Sequence, residues 1–544
     1  MKKPFLFLVL AISCLSGRLP AASAAFGLTG IVSSDAEGPM EGVLVSAKRM
    51  PGTMTVTVVS DSQGRYTFPP GRLAVGDYQL AIRAIGYDAV DAVITAVVGK
   101  GEKEADIKLN KTRDLASQMS DVEWLMSVPG ADERKQYLFL TCSQCHTLAP
   151  VLKSTYDSAG WMTTLARMSG WDQVSSINQP VLSPDQRGGT FGGKEFAEYL
   201  SSINLSSGST HDFQLKTLPR PHGDDTRVII TEYDLPRPQA EPHDVAPDKA
   251  GMIWYQDFMD GIIGRLNTVT GEVKEWHDPV TKPGYPSAFQ CLEWDSQGNI
   301  WLGRHDWNGI ARFDIKTEQF TNFDLPPGTK ADLISVGGDA KVWVKDSASN
   351  ALYRVDPATG AATTFSQLPS ELTTKEYKGP RHHIYGITAD PNGNLYEADI
   401  VGGDIFRVDG KSGKVMTYAI PTPNAGPRRM HLDSAGHLWI GEYYGKTIGM
   451  FDTKTEQFRE WPVPVPWYGP YDVVGDKDGY AWTGGMTSEL ILRLNTRTGQ
   501  FRKYLLPRLG VNVRRVEVDN SGIRPIFWVG ENHQAKIARV EPLD

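Results

Sequence analysis

Apolar and polar residues alternate with a period of two between about residues 25 and 112, through GLTGIV, EGVLVSAKR, TVTVVSDSQGRYTF, GDYQLAIRAIGY and EKEADIKLN. That period belongs to strands with one buried face, and DSQG and VGD punctuate it as turns, so the segment predicts a small β-sandwich. From 113 to 205 the spacing lengthens to a helical one in KTRDLASQMSDVEWLMSV, ERKQYLFLTCSQCHTL, YDSAGWMTTLARMSGW and SPDQRGGTFGGKEFAEYLSSIN,. Ser183 followed by Pro184 marks a helix start within it, and SSGSTHD at 206–212 reads as a linker,.

The remainder, 225–544, repeats. IWYQDFMDGIIGRLNTVTGEVKEW returns as IWLGRHDWNGIARFDIKTEQFTNF, LWIGEYYGKTIGMFDTKTEQFREW and four further variants. Trp254, Trp301, Trp343, Tyr396, Trp439, Trp482 and Trp528 mark the units at spacings of 47, 42, 53, 43, 43 and 46. A period of this size with several strands per unit predicts a β-propeller. The last unit ends at Asp544 one strand short, and VIITEYDLP at 228–236 has the character of the missing strand. The expectation is therefore a mainly β chain: a seven-bladed propeller closed by its first strand, preceded by a β-sandwich and a small all-α domain. A linear β-solenoid would leave the missing strand unexplained.

Composition agrees, since 54 glycines, 35 prolines and 14 tryptophans in a chain 40% hydrophobic suit short strands and tight turns,. A formal net charge of -8 without a Lys/Arg-rich run lacks the attraction that drives nucleic-acid binding,. MKKPFLFLVLAISCLSGRLPAASA, residues 1–24, has two lysines, an apolar stretch and an A-x-A site, which predicts a cleaved secretory signal and a periplasmic protein,. A lipoprotein carrying lipid on Cys14 is the other reading. No later apolar run approaches the ~20 residues of a membrane span.

The chemistry begins at TCSQCHTL, 141–148. C-x-x-C in an exported protein has four readings: a redox disulfide, half of a zinc site, a local disulfide, or covalent haem attachment. A thioredoxin motif needs a βαβ setting, and zinc needs a fourth ligand that the segment lacks before His211,. Cys142 and Cys145 at thioether spacing with His146 behind them fit one haem c, His146 binding the iron. Met162 and Met168 are candidates for the opposite side of the iron. They face away from each other on a helix, and Trp161, Leu165 and Met168 form one apolar stripe, which favours Met168,. In the alternative, both methionines pack and the iron is open or bound from elsewhere. The segment resembles monohaem cytochrome c domains, which the WMTTLARM stretch also matches.

The G-x-V, E-G-V-x-V, S-D-S-Q-G-x-Y-x-F and G-x-Y-x-L pattern of 25–112 resembles the carboxypeptidase regulatory-like domain, which implies a structural or adhesive role. The blade motif W-x-x-E, then I-G-R-x-x-x-x-G-x-x-x-E-[FYW]-x-x-P, resembles the streptogramin (virginiamycin B) lyase family. That family opens a cyclic depsipeptide with a histidine, acidic residues and magnesium, and its E-P-H motif is matched by Glu241, Pro242 and His243. Arg428 stands where the substrate-binding blade would carry histidine, Tyr471 occupies GPYDV in the next blade, and no histidine is found near Arg514.

The propeller itself predicts two rings at one channel mouth. Inner-strand starts contribute His243, Ser287, Tyr385, Arg428, Tyr471 and Arg514. Positions three after the markers contribute Asp257, Arg304, Asp346, Asp399, Glu442, Gly485 and Glu531,. Acids crowded there would repel one another, so Asp257, Asp399, Glu442 and Glu531 are candidates for a calcium or magnesium site. In the other reading they hydrogen-bond neighbouring blades. His305, His382, His383, His431 and His533 lie near the same mouth by register. Glu241, His243, His383, Arg428 and His533 are the catalytic candidates, with His383 and His533 as general bases. Cys291 reads as a small buried hydrophobe.

Three functions compete. The first is a redox enzyme that oxidises a small organic substrate at the propeller and passes electrons through His146, haem and Met168. The second is a non-enzymatic electron carrier that docks a redox partner protein. The third is a metal-dependent lyase.

Overall fold

In the computed structural model the described residues are 27–99, 101–170, 192–258, 260–279, 288–304, 309–346, 349, 351–367 and 382–544. Residues 27–111 form strands around a core that includes Val45, Val56, Tyr66, Phe68 and Leu109. The predicted alternation is visible in Arg65–Phe68, where Tyr66 and Phe68 are buried while Arg65 and Thr67 face water.

Among the described residues five α-helices follow: α1 (Asp121–Ser127), α2 (Asp132–Leu140), α3 (Ala149–Leu152), α4 (Ser158–Met168) and α5 (Gly193–Ile203). Ser120 and Glu123 form a capping box at the start of α1,. The helix start expected at Ser183 lies outside the described residues. The stretch read as a linker is tied down instead: His211 Nε2 meets the carbonyl of Leu152 at 2.9 Å, and its ring sits 5.1 Å from Trp124. Among the described residues no helix is long and apolar enough to cross a membrane.

The repeats fold into sheets of four antiparallel strands. Each sheet's first strand contacts the first strand of the next, in the order Pro242–Pro247, Phe289–Trp294, Leu333–Val336, Ile384–Ala389, Pro427–Leu432, Pro470–Gly475 and Val513–Asp519. The last of these contacts Pro242–Pro247 again, so the ring closes around a channel. Val228–Asp234 pairs with the C-terminal strand Lys536–Pro542, as the missing strand required. Its other edge pairs with Met54–Val59, so one eight-stranded sheet runs from the ring into the N-terminal β unit.

The marker tryptophans are held by a repeated bond. Trp254, Trp301, Trp439 and Trp482 each donate Nε1–H to an aspartate six residues earlier, at 2.9, 3.0, 3.0 and 2.8 Å. Each aspartate's other oxygen takes turn amides, as Asp476 does from Asp478 and Tyr480 at 2.9 Å. The glycine of the I-G-R motif has a steric cause: a Cβ on Gly449 would meet Glu442 Oε1 at 2.2 Å, and one on Gly264 would meet the Tyr255 ring at 2.2 Å.

Asp476→Ala removes three acceptor contacts at once and should cost about 1–3 kcal/mol. Urea unfolding should show a lower midpoint for the variant; an unchanged midpoint would contradict this role for the Asp–Trp bond.

Candidate functional site

Inner strands do not run straight into the mouth. Their pairing slips near the start, between Pro242 and Asp244, Phe289 and Cys291, Ile384 and Gly386, Pro427 and Met430, Pro470 and Asp472, and Val513 and Val516. A bulge re-aims the extra side chain, and the extra residues include His243, Tyr385, Arg428, Tyr471 and Arg514. The same register gives Gln290, not Ser287, as the equivalent in the second blade, because Phe289 pairs with Arg304 as Pro242 pairs with Asp257. Ser287 and His305 lie outside the described residues.

These side chains meet. Arg428 donates to Tyr385 Oη at 2.9 Å, Tyr385 and Tyr471 share a hydrogen bond at 3.2 Å, and Tyr471 Oη lies 3.3 Å from His243 Nε2. His243 Nδ1 bonds Asp244, which also accepts from the amide of Leu292 at 2.9 Å and from Arg515 at 3.1 Å. The Arg428 guanidinium lies over the rings of Tyr385, Tyr443 and Tyr471, 4.5, 4.5 and 4.4 Å from their centroids,.

Burial, helped by Arg514 and Arg429, lowers the His243 pKa to about 4 against the pull of Asp244, so the ring is neutral at pH 7. Burial opposes ionisation of Asp244, yet Arg515 and His243 hold its pKa well below the usual range. Burial would raise Tyr385, but Arg428, Arg429 and Arg514 together bring it down to about 8. Burial lowers His383, and it lowers half-buried His533 to about 3 with Arg514 and His146 adding to the shift.

The expected acid ring does not assemble at the channel. Asp257 pairs with Arg237, which also binds Asp260 and Glu275. Asp399 pairs with His382 and accepts the amides of His383, Val401 and Gly402. Glu442 reaches outward across Gly449 to Glu460 of its blade's outer strand, and Glu531 lies against Glu232 of the closing strand. The side chains extend along their own sheets instead of into the channel. Among the described residues no three His, Cys, Asp or Glu side chains form a group able to hold a metal ion. Further residues of this register sit elsewhere: His431 binds Asp472 at 2.8 Å, and buried Cys291 accepts from Arg429 at 3.2 Å. Arg304 is paired with Asp278.

Over the mouth lies the cysteine loop. α2 ends at Leu140, and Cys142–Gln144 is a single 3-10 turn. Phe139 stacks on Tyr443 with centroids 5.0 Å apart. Gln144 donates to Tyr443 Oη at 3.0 Å, and its Oε1 accepts from both Nη atoms of Arg428 at 3.2 Å. Tyr443, Tyr471 and Met486 belong to the same apolar core as Trp124, Leu138, Leu148 and Leu200 of the helices.

Both thiols are free. Burial raises Cys142 to about 11 and raises Cys145 as well, with Arg514 opposing and Glu241 adding to the shift of Cys145. His146 Nδ1 is 2.8 Å from the carbonyl of Thr147. A cavity of about 500 Å³ is lined by His146, Val151, Tyr156, Trp161, Arg167 and Met168, among others. Met162 packs against the helical core. Gln144, Arg429 and Tyr443 escaped the sequence reading; only the adjacency of Arg429 to Arg428 could have flagged one of them.

The family model of the carboxypeptidase regulatory-like domain matches residues 27–110, and that of the virginiamycin B lyase family matches 370–543. The two matched spans do not include 111–369. No curated protein matches the chain. Among solved structures, virginiamycin B lyase from Staphylococcus aureus aligns with TM-score 0.50 at 20% identity, covering 57% of this chain and 99% of that one. A streptogramin B lyase aligns with TM-score 0.51 at 22% identity, covering 59% of this chain and 99% of that one. The fold is thus a β-propeller like that of virginiamycin B lyase. It is joined here to a carboxypeptidase regulatory-like domain and a helical segment.

Burial raises the Glu442 pKa from 4.5 to about 9, with Glu460 adding to the shift. The fold favours the neutral acid, so its contribution is complete below about pH 4.5 and is lost as pH rises towards 9,. Glu442→Gln has no charge to acquire. Thermal unfolding at about pH 5 and about pH 8.5 should show wild type losing more stability than the variant; equal losses would contradict the buried carboxyl pair.

Proposed function

We propose that this chain is an exported c-type haem protein whose seven-bladed propeller binds a small organic substrate or redox partner beneath the haem-bearing loop. The observation that carries the reading is the cavity lined by both His146 and Met168, on a loop whose two C-x-x-C thiols are unlinked and which is bonded to the propeller through Gln144. The residues fit the group. Cys142 and Cys145 would hold it covalently. With Nδ1 directed at the Thr147 carbonyl, His146 has Nε2 left for iron, and Met168 supplies a thioether on the same cavity,. When bound, haem c supplies one-electron transfer. The chain's own part is to line the cavity with buried Trp161 and with Val151 and to anchor the loop to the propeller through the Gln144–Arg428 bonds. The acids at 257, 399, 442 and 531 are engaged within their own blades, so a calcium or magnesium site is not part of this reading.

A lyase of the streptogramin type is the second reading. Fold likeness favours it, as does the neutral His243 oriented by Asp244. Against it, His243 is fully buried, and Phe139 and Gln144 cover the mouth that a large cyclic substrate would need to enter.

Produced in a host that exports and matures c-type cytochromes, wild type should gain the mass of one haem, and Cys142→Ser/Cys145→Ser should gain none. Met168→Ala should keep the haem, shift the oxidised spectrum from low spin to high spin, and lower the midpoint potential. Wild type without covalent haem would sink the proposal. Opening of a cyclic depsipeptide that is abolished by His243→Ala would then establish the second reading.

A further inference from the structure

Three guanidiniums at the mouth have no ion-pair partner among the described residues, although Asp244 acts on Arg429 from beyond ion-pair distance. Arg428, Arg429 and Arg514 are 6%, 5% and 7% exposed. Arg428 bonds the neutral partners Gln144 and Tyr385, Arg429 bonds Cys291 Sγ, and Arg514 bonds Asn512 Oδ1 at 2.9 Å. Among the described residues none of the three has a carboxylate within ion-pair distance. Their neighbour Arg515, by contrast, is paired with Asp244 and Glu293. Arg428 Nε, Arg429 Nε and Arg429 Nη2 are buried without a hydrogen-bond partner. A buried cation left in that condition is costly unless an anion shares its site.

The three converge on one wall. Arg428 and Arg429 lie 4.5 and 5.6 Å from the Tyr385 centroid, and Arg514 lies 4.8 Å from that of Phe258. Phe258 stacks on His243 at 4.9 Å, and His243 meets Tyr471 edge-on at 6.0 Å. All three arginines also act on Tyr385, whose phenol is more acidic than usual because of them. Gln144 Oε1 already takes both Nη atoms of Arg428, so the donors left for a further acceptor are Arg428 Nε and, side by side on one guanidinium, Arg429 Nε and Nη2.

We infer that Arg428, Arg429 and Arg514 form a binding site for an organic carboxylate, with Tyr385, Tyr471 and Phe258 packing its carbon skeleton. A planar guanidinium fork matches a planar carboxylate, and the aromatic wall suits an anion with an apolar body better than a bare inorganic one. The inference rests on the proposed function, for which it names the substrate class. The same chemistry has a second source, the carboxylate side groups of a bound haem.

The test is calorimetric titration of the full chain with benzoate and succinate, using benzamide as the neutral control. Haem-loaded wild type and the haem-free Cys142→Ser/Cys145→Ser variant are compared. Carboxylates should bind at least about tenfold tighter than benzamide, and Arg429→Gln should weaken them by about 10- to 100-fold with partial recovery in Arg429→Lys. Binding by both forms assigns the site to a free carboxylate. Binding by the haem-free form alone assigns it to the haem's own. Carboxylates no better than benzamide in either form, or full affinity in Arg429→Gln, would overturn the inference. If Arg429→Gln does not fold by circular dichroism, Arg514→Gln takes its place with the same criterion. Haem attachment is read separately by mass, so failure of the haem proposal and failure of the carboxylate site remain distinguishable.

Discussion

One strand holds the architecture together. Val228–Asp234 is paired along its whole length with Lys536–Pro542 and along its other edge with Met54–Val59. Its backbone donors and acceptors are thereby used on both sides, which leaves no open edge at the seam of the ring. Without it the C-terminal strand would be an edge and the N-terminal β unit would have no sheet to continue. Asp234 reinforces the junction by binding Lys536 of the C-terminal strand and Lys48 of Leu44–Arg49, the strand beyond Met54–Val59. A closed ring is also what brings bulged residues from blades far apart in sequence, such as His243 and Tyr471, into one hydrogen-bonded group.

The mouth then differs from an open cleft because the helices complete it. Phe139 and Gln144 contribute to the same surface as Tyr443 and Arg428, and the core of the helical segment is finished by Tyr443, Tyr471 and Met486. Neither unit buries its apolar face fully without the other. A chain of contacts leads from Gln144 through Arg428, Tyr385 and Tyr471 to His243 and Asp244, so a change of charge at the loop is felt in the channel through neighbouring dipoles,.

Much of the fold was legible because it is periodic. The spacing of Trp254, Trp301, Trp439 and Trp482 expresses one Asp–Trp bond repeated blade by blade. The shortfall of a strand after Trp528 correctly pointed to Val228–Asp234. Less of the site was legible. A β-bulge has no compositional mark, so the substitution of Gln290 for Ser287 could not be foreseen. Nor could the direction of the acids: Glu442 and Gly449 looked like separate motif positions, whereas the missing Cβ of the glycine is what lets the carboxyl pass outward to Glu460. Gln144 lay within a recognised motif, but its contact is with a residue 284 positions away, beyond the reach of any local pattern.

The placement of charge bears on what such a mouth can do. A lyase acting by general base needs its histidine to meet substrate, yet His243 is closed in by Phe258, Tyr471 and Asp244 on a surface already sealed by the loop. The arginines beside it favour negative charge, and they lower the Tyr385 phenol against the effect of its burial. Phe139 and Gln144, packed on Tyr443 and Arg428, narrow the mouth through which any ligand would reach His243.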